Sequence, residues 1–267
     1  MLMDGIDRLR KIVRTLRAPG GCPWDREQTL KTLKPCLLEE TYELLHAIDT
    51  GNEQDHLEEL GDVLLQIVFQ CDIRENEGKF SLDDVANAVA DKMVRRHPHV
   101  FGDVKVENVS QVLRNWENIK KRETHGNPER SALDGVPPTL PALLKAQRVQ
   151  QKAARVGFDW KDSSGALGKM EEELAEVKEA IAEQNQAHIE EEIGDLFFAI
   201  VNTCRFLNVQ AEESLTAATR KFETRFRAVE AEVRRQGKEM KNCTLAELDA
   251  IWDQVKYAQR KQDETQP

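Results

Sequence analysis

Hydrophobic residues recur along most of the chain at the three- and four-residue spacing of one face of an α-helix. One such stripe predicts a helix near the N-terminus, and a second predicts a helix after residue 141. The first stripe comprises Ile6, Leu9, Ile12, Val13 and Leu16, and the second comprises Leu143, Leu144, Ala146, Val149, Ala153 and Val156. The alternation that is typical of β-strands is scarce. The pattern therefore predicts an all-α protein.

A segment rich in proline and glycine interrupts the helical pattern between residues 125 and 141. It contains four of the nine prolines, together with two glycines. Because both residue types disfavour a continuous helix, we interpret this segment as a linker. The predicted organisation is an N-terminal module at 1–124, a linker at 125–141 and a C-terminal module at 142–267.

The two modules repeat the same order of chemically distinctive residues. Two acidic pairs of the first module recur 133 positions later in the second: Glu40 and Glu43 as Glu173 and Glu176, and Glu59 and Asp62 as Glu192 and Asp195. The tryptophans pair at a spacing of 136, Trp24 with Trp160 and Trp116 with Trp252, and Lys92 and Arg96 match Lys221 and Arg225 at a spacing of 129. A shared order at nearly constant spacing indicates an internal duplication.

The repeated acids predict a metal site in each module. Glu173 and Glu176 share a helix face, since they are three residues apart, and so do Glu192 and Asp195. The residues between the two pairs leave room for a turn and an antiparallel helix, which would bring four carboxylates together. Like charges at close range resist ionisation, and hard cations such as Mg²⁺, with Mn²⁺ as a substitute, prefer oxygen ligands. The equivalent set in the first module is Glu40, Glu43, Glu59 and Asp62.

Neighbouring residues bear on whether these acids are functional. A solvated acidic helix face is the alternative interpretation. Apolar residues beside the acids predict instead that the acids border a buried face; they are Leu174, Val177, Ile181, Ile193, Leu196 and Phe197. Gly61 and Gly194 lie inside the predicted helices, where glycine is unfavourable, and predict close approach by another backbone or a ligand. A di-iron site is disfavoured because the second module does not repeat the Glu43–His46 pair.

Cations and an aromatic residue follow the acids in each module. In the second module Lys221 and Arg225 lie one helical turn apart, and so do Trp252 and Lys256. Acids that bind a metal, cations for phosphates and an indole that can stack suit a nucleoside triphosphate. The chain has no glycine-rich Walker sequence, so it is not a P-loop enzyme.

Composition excludes several classes of partner. Lys and Arg total 38 against 48 Asp and Glu, a net charge of −10, which disfavours nucleic acid as a partner. No stretch approaches the roughly 18 consecutive apolar residues of a transmembrane helix, so no membrane association is expected. The five cysteines are dispersed and form no CxxC pair. We therefore expect a cytoplasmic, reducing location.

The combined motifs resemble the MazG family of nucleoside triphosphate pyrophosphohydrolases in its two-copy form. The resemblance rests on the acidic pairs and on the sequences GCPWD at 21–25, RRHPHVF at 95–101 and GFDW at 157–160. It implies two tandem four-helix-bundle-like modules and a homodimer or higher homo-oligomer. It also implies Mg²⁺-dependent hydrolysis of nucleoside or deoxynucleoside triphosphates to monophosphate and pyrophosphate, in nucleotide-pool housekeeping.

The resemblance also implies roles for individual residues. Glu173, Glu176, Glu192 and Asp195 would be the catalytic metal ligands, and the nucleotide would be contacted by Lys169, Lys221, Arg225, Trp252 and Lys256. Cys36 stands at the position of Lys169 in the first module, which favours the second module as the active one. His188 replaces a lysine that is common in related chains. The alternative is a non-catalytic helical protein that senses nucleotides or serves as a scaffold.

Overall fold

The computed structural model describes residues 4–123 and 131–263. The chain divides into two compact units, Met1–Asn127 and Pro128–Pro267. Within the described residues the regular elements are twelve α-helices and one 3₁₀ turn, which confirms the all-α prediction. Residues 1–3, 124–130 and 264–267 lie outside the described residues. The exact bounds of the 125–141 linker therefore stay a prediction.

The first unit is built from five longer helices and two short ones. They are α1 (Gly5–Arg17), α2 (Pro23–Glu27), α3 (Leu33–Thr50), α4 (Glu53–Asn76), α5 (Leu82–Arg96), α6 (Pro98–Phe101) and α7 (Val109–Glu123). Helix α4 packs against α1, α3 and α5, and α5 also contacts α7. The core of the unit lies where α1 meets α4. Val13 is fully buried there with Val68, Phe69 and Ile73.

The second unit repeats this arrangement without the two short helices. Its helices are α8 (Ala142–Ala154), α9 (Ser163–Glu183), α10 (Gln186–Phe206), α11 (Ala211–Arg235) and α12 (Leu245–Asp263), with the 3₁₀ turn at Met240–Asn242. Helix α10 packs against α8, α9 and α11, and α11 contacts α12. The contacts follow the same order as in the first unit. This agreement supports the duplication and the prediction of tandem helical-bundle modules.

The first hydrophobic stripe correctly predicts α1, but only part of it is buried. Val13 has no exposed surface, whereas Ile6, Ile12 and Leu16 are 37–44% exposed. The helix is amphipathic as predicted, and its contact with α4 is narrower than the stripe. A helix that packs against a single neighbour buries only the residues that face that neighbour.

The second stripe predicts α8, but the most buried side chains of this helix are glutamines. Gln147 and Gln150 are 2% and 7% exposed. Their amide groups donate hydrogen bonds to the carbonyls of Val209 and Phe198, at 3.0 and 2.7 Å. Burial of these amides is tolerated because the lost contact with water is replaced. Val156, assigned to the stripe, lies beyond the end of α8 and is exposed.

A charge-reversed ion pair ties the loop region before the acidic helices to the core of each unit. In the first unit Arg17 Nε lies 2.7 Å from Asp72 Oδ2 on α4. In the second unit the α10 residue that matches Asp72 is Arg205, and its Nη1 donates to Asp159 Oδ2 at 2.9 Å. The pair is retained while the two signs are exchanged, which indicates that the link itself matters to the fold.

Two-residue turns join the helices that carry the acids. Gly51 and Asn52 connect α3 to α4, and Gln184 and Asn185 connect α9 to α10. Gly51 and Gln184 adopt left-handed backbone conformations with φ of 69° and 56°. The Asn52 and Asn185 side chains cap the following helices by accepting hydrogen bonds from backbone N–H groups. The short turns make each helix pair antiparallel, as the spacing of the acids predicts.

Candidate metal and nucleotide site

Three acids of the second unit converge between α9 and α10. Each of Glu173, Glu192 and Asp195 offers one carboxylate oxygen, and the three oxygens lie within 4.8 Å of one another. Glu173 is buried, with 5% of its surface exposed. A cluster made only of carboxylate oxygens matches the ligand preference of a hard divalent cation. The donors that the structure brings together therefore fit Mg²⁺ or Mn²⁺.

Glu176, the fourth predicted ligand, lies beside this group rather than within it. Its carboxyl group hydrogen-bonds with that of Glu173, and this contact contributes most to raising the pKa of Glu176. Burial and the negative charges of Glu173 and Glu192 raise the pKa further. Carboxylates that share a proton in this way are close enough to share a cation instead.

Lys169 supplies positive charge to the second-unit cluster. Its Nζ lies 2.7 Å from Glu173 Oε1 and 2.7 Å from Glu172 Oε1. These two hydrogen bonds raise the pKa of Lys169 well above its ordinary value. The lysine that the resemblance assigns to the nucleotide is therefore bound to the acids in this structure.

His188 adds a second contact, at the start of α10. Its Nδ1 lies 2.9 Å from Glu183 Oε2, and its Nε2 lies 3.1 Å from Glu192 Oε1. The hydrogen bond with Glu183 contributes most to raising the pKa of His188. The sequence showed only that a lysine was replaced at this position. The bridge between two acids depends on the turn that brings Glu183 back toward α10.

The first unit contains a similar cluster that lacks the lysine. One oxygen from each of Glu40, Glu43 and Glu59 lies within 4.8 Å of the others. Burial, followed by the charges of neighbouring acids that include Asp62, raises the pKa of both Glu40 and Glu59. Glu59 Oε2 is buried and has no hydrogen-bond partner among the described residues. Asp62 acts on this cluster through its charge but is not one of the three converging ligands.

Two expectations about the surroundings of the acids are wrong. Of the apolar residues beside them, Leu174, Ile181, Ile193 and Phe197 are 39–55% exposed, whereas Val177 is buried. The acids therefore do not border a continuous buried face in this chain. A Cβ atom added at Gly61 or Gly194 would meet no other atom of the described structure within 4 Å. Close approach by another backbone of the chain does not explain these glycines.

The predicted nucleotide contacts from α11 and α12 lie close together. Arg225 Cζ is 6.0 Å from the centre of the Trp252 ring, and Arg225 Nε donates a hydrogen bond to Gln259 Oε1 at 2.9 Å. Trp252 is half-buried and packs against the core cluster of Val229, Val233 and Ile251. Its indole ring is therefore partly a core element, with one edge left for other contacts.

Lys221 and Lys256 complete this group on the same two helices. Lys221 is exposed, one turn before Arg225, and Lys256 is half-buried, one turn after Trp252. Neither lysine forms an ion pair with another described residue. The two helices thus present uncompensated cations beside an aromatic ring, and α11 packs against α10, which carries two of the acids.

Comparison with known proteins identifies the family. The sequence matches the MazG nucleotide pyrophosphohydrolase domain twice, over residues 28–101 and 163–229. These two matches together cover more than half of the chain. The chain belongs to the MazG family. The two MazG matches include both acidic clusters, together with Lys169, Lys221 and Arg225, whereas Trp252 and Lys256 follow the second match.

Full-length relatives share this two-copy MazG organisation along nearly the whole chain. A nucleoside triphosphate pyrophosphohydrolase of Escherichia coli strain K12 is 47% identical over 259 residues, which cover 95% of this chain and 98% of the relative. The nucleoside triphosphate pyrophosphohydrolase/pyrophosphatase MazG of Thermotoga maritima is 46% identical over 250 residues, covering 94% and 95%. A nucleoside triphosphate pyrophosphohydrolase of Mycolicibacterium smegmatis is 41% identical over 159 residues, or 59% of this chain and 47% of that relative.

The helices were also compared with the requirements of a membrane span. Within residues 4–123 and 131–263, no helix combines the length and the apolar character that crossing a bilayer requires.

Proposed function

We propose that the second unit hydrolyses nucleoside and deoxynucleoside triphosphates to the monophosphate and pyrophosphate. The observation that carries this proposal is the cluster of Glu173, Glu192 and Asp195, with Lys169 beside it, inside the second MazG match. The names of the full-length relatives in E. coli and T. maritima support the same reaction. A role in nucleotide-pool housekeeping follows from that chemistry.

A divalent cation would be held by Glu173, Glu176, Glu192 and Asp195, with Mg²⁺ as the preferred ion and Mn²⁺ as a substitute. The donors fit because they are all carboxylate oxygens and because their mutual repulsion already raises the pKa of Glu176. When bound, the cation would supply positive charge to the phosphate oxygens and polarise water for attack.

The cations of this unit would bind and orient the triphosphate. Arg225 presents a planar guanidinium suited to two phosphate oxygens, and Lys221 and Lys256 add charges that no other described residue neutralises. Positive groups that are already in place stabilise the charge that develops on the leaving pyrophosphate. Trp252 would contact the nucleotide through the ring edge that the core does not cover.

Lys169 would have two roles in this reaction. In the structure it neutralises Glu172 and Glu173, which keeps a buried acid ionised without metal. Once a cation takes over that role, the Lys169 ammonium group would be available to the phosphates. Glu172, an early candidate for the general base because of its position, is held by Lys169 and is 58% exposed at its side chain.

Product analysis tests the proposed reaction. The protein is incubated with ATP, dCTP and dUTP in the presence of Mg²⁺, and the products are separated by ion-exchange chromatography. Monophosphate and pyrophosphate in equal amounts, absent when EDTA is added, are the expected result. Diphosphate with orthophosphate would contradict the cleavage position. No product from any nucleotide, including noncanonical ones, would favour a non-catalytic sensor or scaffold.

A further inference from the structure

The arginine and tryptophan that lie together in the second unit have counterparts in the first. Arg96 Cζ lies 5.7 Å from the centre of the Trp116 ring, and the corresponding distance from Arg225 to Trp252 is 6.0 Å. The two sites share the same helices of the repeat, α5 with α7 and α11 with α12. They therefore form a matched pair within one chain.

In the first unit a carboxylate occupies the arginine. Glu123 lies seven residues after Trp116, on the same face of α7. Its Oε2 accepts hydrogen bonds from Arg96 Nε and Nη2 at 3.1 and 2.6 Å, and its Oε1 accepts one from Arg95 Nε at 2.7 Å. The two guanidinium groups lower the pKa of Glu123 to about 2. The Arg96 and Glu123 side chains are 18% and 21% exposed, so solvent screens their pairing only in part.

In the second unit a neutral amide takes the same place. Gln259 lies seven residues after Trp252, and its Oε1 accepts one hydrogen bond from Arg225 Nε. No carboxylate of the described residues pairs with Arg225. The position that matches Arg95 is Thr224, so the second arginine is also absent. Arg225 is thus oriented through Nε, while its charge and its two terminal nitrogens remain available.

We propose that Gln259 is a positioning residue for the phosphate-binding arginine of the second unit, and that Glu123 makes the equivalent arginine of the first unit unavailable to phosphate. This inference rests on the proposed function, since it assigns the geometry of one of its phosphate contacts. A guanidinium binds phosphate best through two parallel N–H groups. An amide acceptor holds the group in place without taking its charge, whereas a carboxylate competes directly with the phosphate.

The substitution Gln259→Glu tests the proposal, because it changes charge with almost no change in shape. We expect the KM for ATP to rise about tenfold or more, with a smaller change in kcat, as expected when a competing anion stands beside a binding group. Affinity for inorganic pyrophosphate, measured by calorimetry with Mg²⁺, should fall by a similar factor. The melting temperature should stay the same or rise, since the new carboxylate can pair with Arg225 as Glu123 pairs with Arg96.

Gln254→Glu is the matched control. Gln254 is exposed on the same helix, on the side away from Trp252 and Lys256, so it adds the same charge without touching Arg225. This variant should keep the wild-type KM and pyrophosphate affinity within about twofold. An effect as large as that of Gln259→Glu would show that general charge on α12 is responsible, which would overturn the proposal.

Two further outcomes would also overturn it. One is a Gln259→Glu protein whose KM and pyrophosphate affinity equal those of the wild type. The other is a lowered melting temperature with proportional loss of kcat, which would identify Gln259 as a structural residue only. Failure of the proposed function is a separate result: the wild-type protein itself would then release no pyrophosphate. In that case the pyrophosphate titration of the same two variants still decides the role of Gln259.

Discussion

Cys36 and Lys169 occupy matching positions, four residues before the first acid of each cluster, and they give the two clusters different electrostatics. Lys169 pairs with Glu173 at 2.7 Å. In the first unit no described cation pairs with Glu40, Glu43 or Glu59, and burial together with mutual repulsion raises the pKa of Glu40 and Glu59. The first cluster therefore opposes folding when its acids are ionised.

Substituting Cys36→Lys should stabilise the first unit at neutral pH. An acid whose pKa is raised on folding favours the folded state below its ordinary pKa, and this contribution is lost as the pH rises through the raised value. A lysine one turn before Glu40 would lower the raised pKa values and restore that stability. We expect the melting temperature without metal to rise by about 1–3 °C near pH 7.

The pH dependence distinguishes this effect from a change in packing. The gain should vanish below about pH 4, where the carboxyl groups are protonated in both the folded and the unfolded state. Differential scanning calorimetry of the wild type and Cys36→Lys across this range measures it. A gain that is equal at every pH would contradict the electrostatic explanation.

At the scale of single residues, the sequence predicted which acids belong to each cluster but not how they are satisfied. The repeat and the helical spacing were sufficient to place Glu173, Glu192 and Asp195 together. The contacts of Lys169 with Glu172 and Glu173, and the bridge made by His188, depend on side-chain rotamers and on a turn. Helical spacing alone does not determine those details.

At the scale of elements, the antiparallel helix pair α9–α10 is the structure that makes the cluster. Its turn places Gln184 in the left-handed region, with φ of 56°, where the first unit has Gly51 with φ of 69°. A side chain in this conformation costs roughly 1 kcal/mol relative to glycine. The second unit therefore carries backbone strain at the turn that joins its two acid-bearing helices.

Gln184→Gly should stabilise the second unit, and Gly51→Gln should destabilise the first. Each change is expected to amount to about 1 kcal/mol, or a few degrees in the melting temperature of the unit concerned. Urea denaturation followed by circular dichroism measures both. A loss of stability in Gln184→Gly would show that the glutamine side chain makes a contact that outweighs the strain.

Helix periodicity predicted the elements more accurately than it predicted their burial. The stripe in α1 and the antiparallel acid-bearing pair were both found. However, the stripe in α8 missed Gln147 and Gln150, which are buried because carbonyl groups of Val209 and Phe198 accept their hydrogen bonds. Partners distant in the chain decide such burial, and hydrophobicity along one helix contains no information about them.

At the scale of the whole molecule, both units expose large apolar residues at matching positions. Ile48 and Ile181 are 54% and 55% exposed, and Leu60 and Ile193 are 48% and 39% exposed. Exposed apolar residues that recur on the same helices of a repeat are typical of a protein interface. We infer from them that the chain assembles as a homodimer or higher homo-oligomer.

A charged residue on this surface should weaken the assembly. Light scattering after size-exclusion chromatography is expected to give a multiple of the 30.5 kDa chain mass for the wild type and a smaller particle for Ile181→Glu. Leu245→Glu, at an 83% exposed position that starts α12, is the control and should keep the wild-type mass. A wild-type protein that elutes with the mass of a single chain would contradict the inference.

The two-copy organisation allows the central claim to be tested within one protein. Glu192 and Glu59 are equivalent positions of the repeat, one in each acidic cluster, so Glu192→Gln and Glu59→Gln make the same chemical change in the two units. The decisive measurement is the initial rate of pyrophosphate release from ATP with Mg²⁺ for both variants and the wild type. We predict a loss of at least about 100-fold in Glu192→Gln and a rate within a few-fold of wild type in Glu59→Gln. A Glu192→Gln protein that retains the wild-type rate would contradict the assignment of hydrolysis to the second unit.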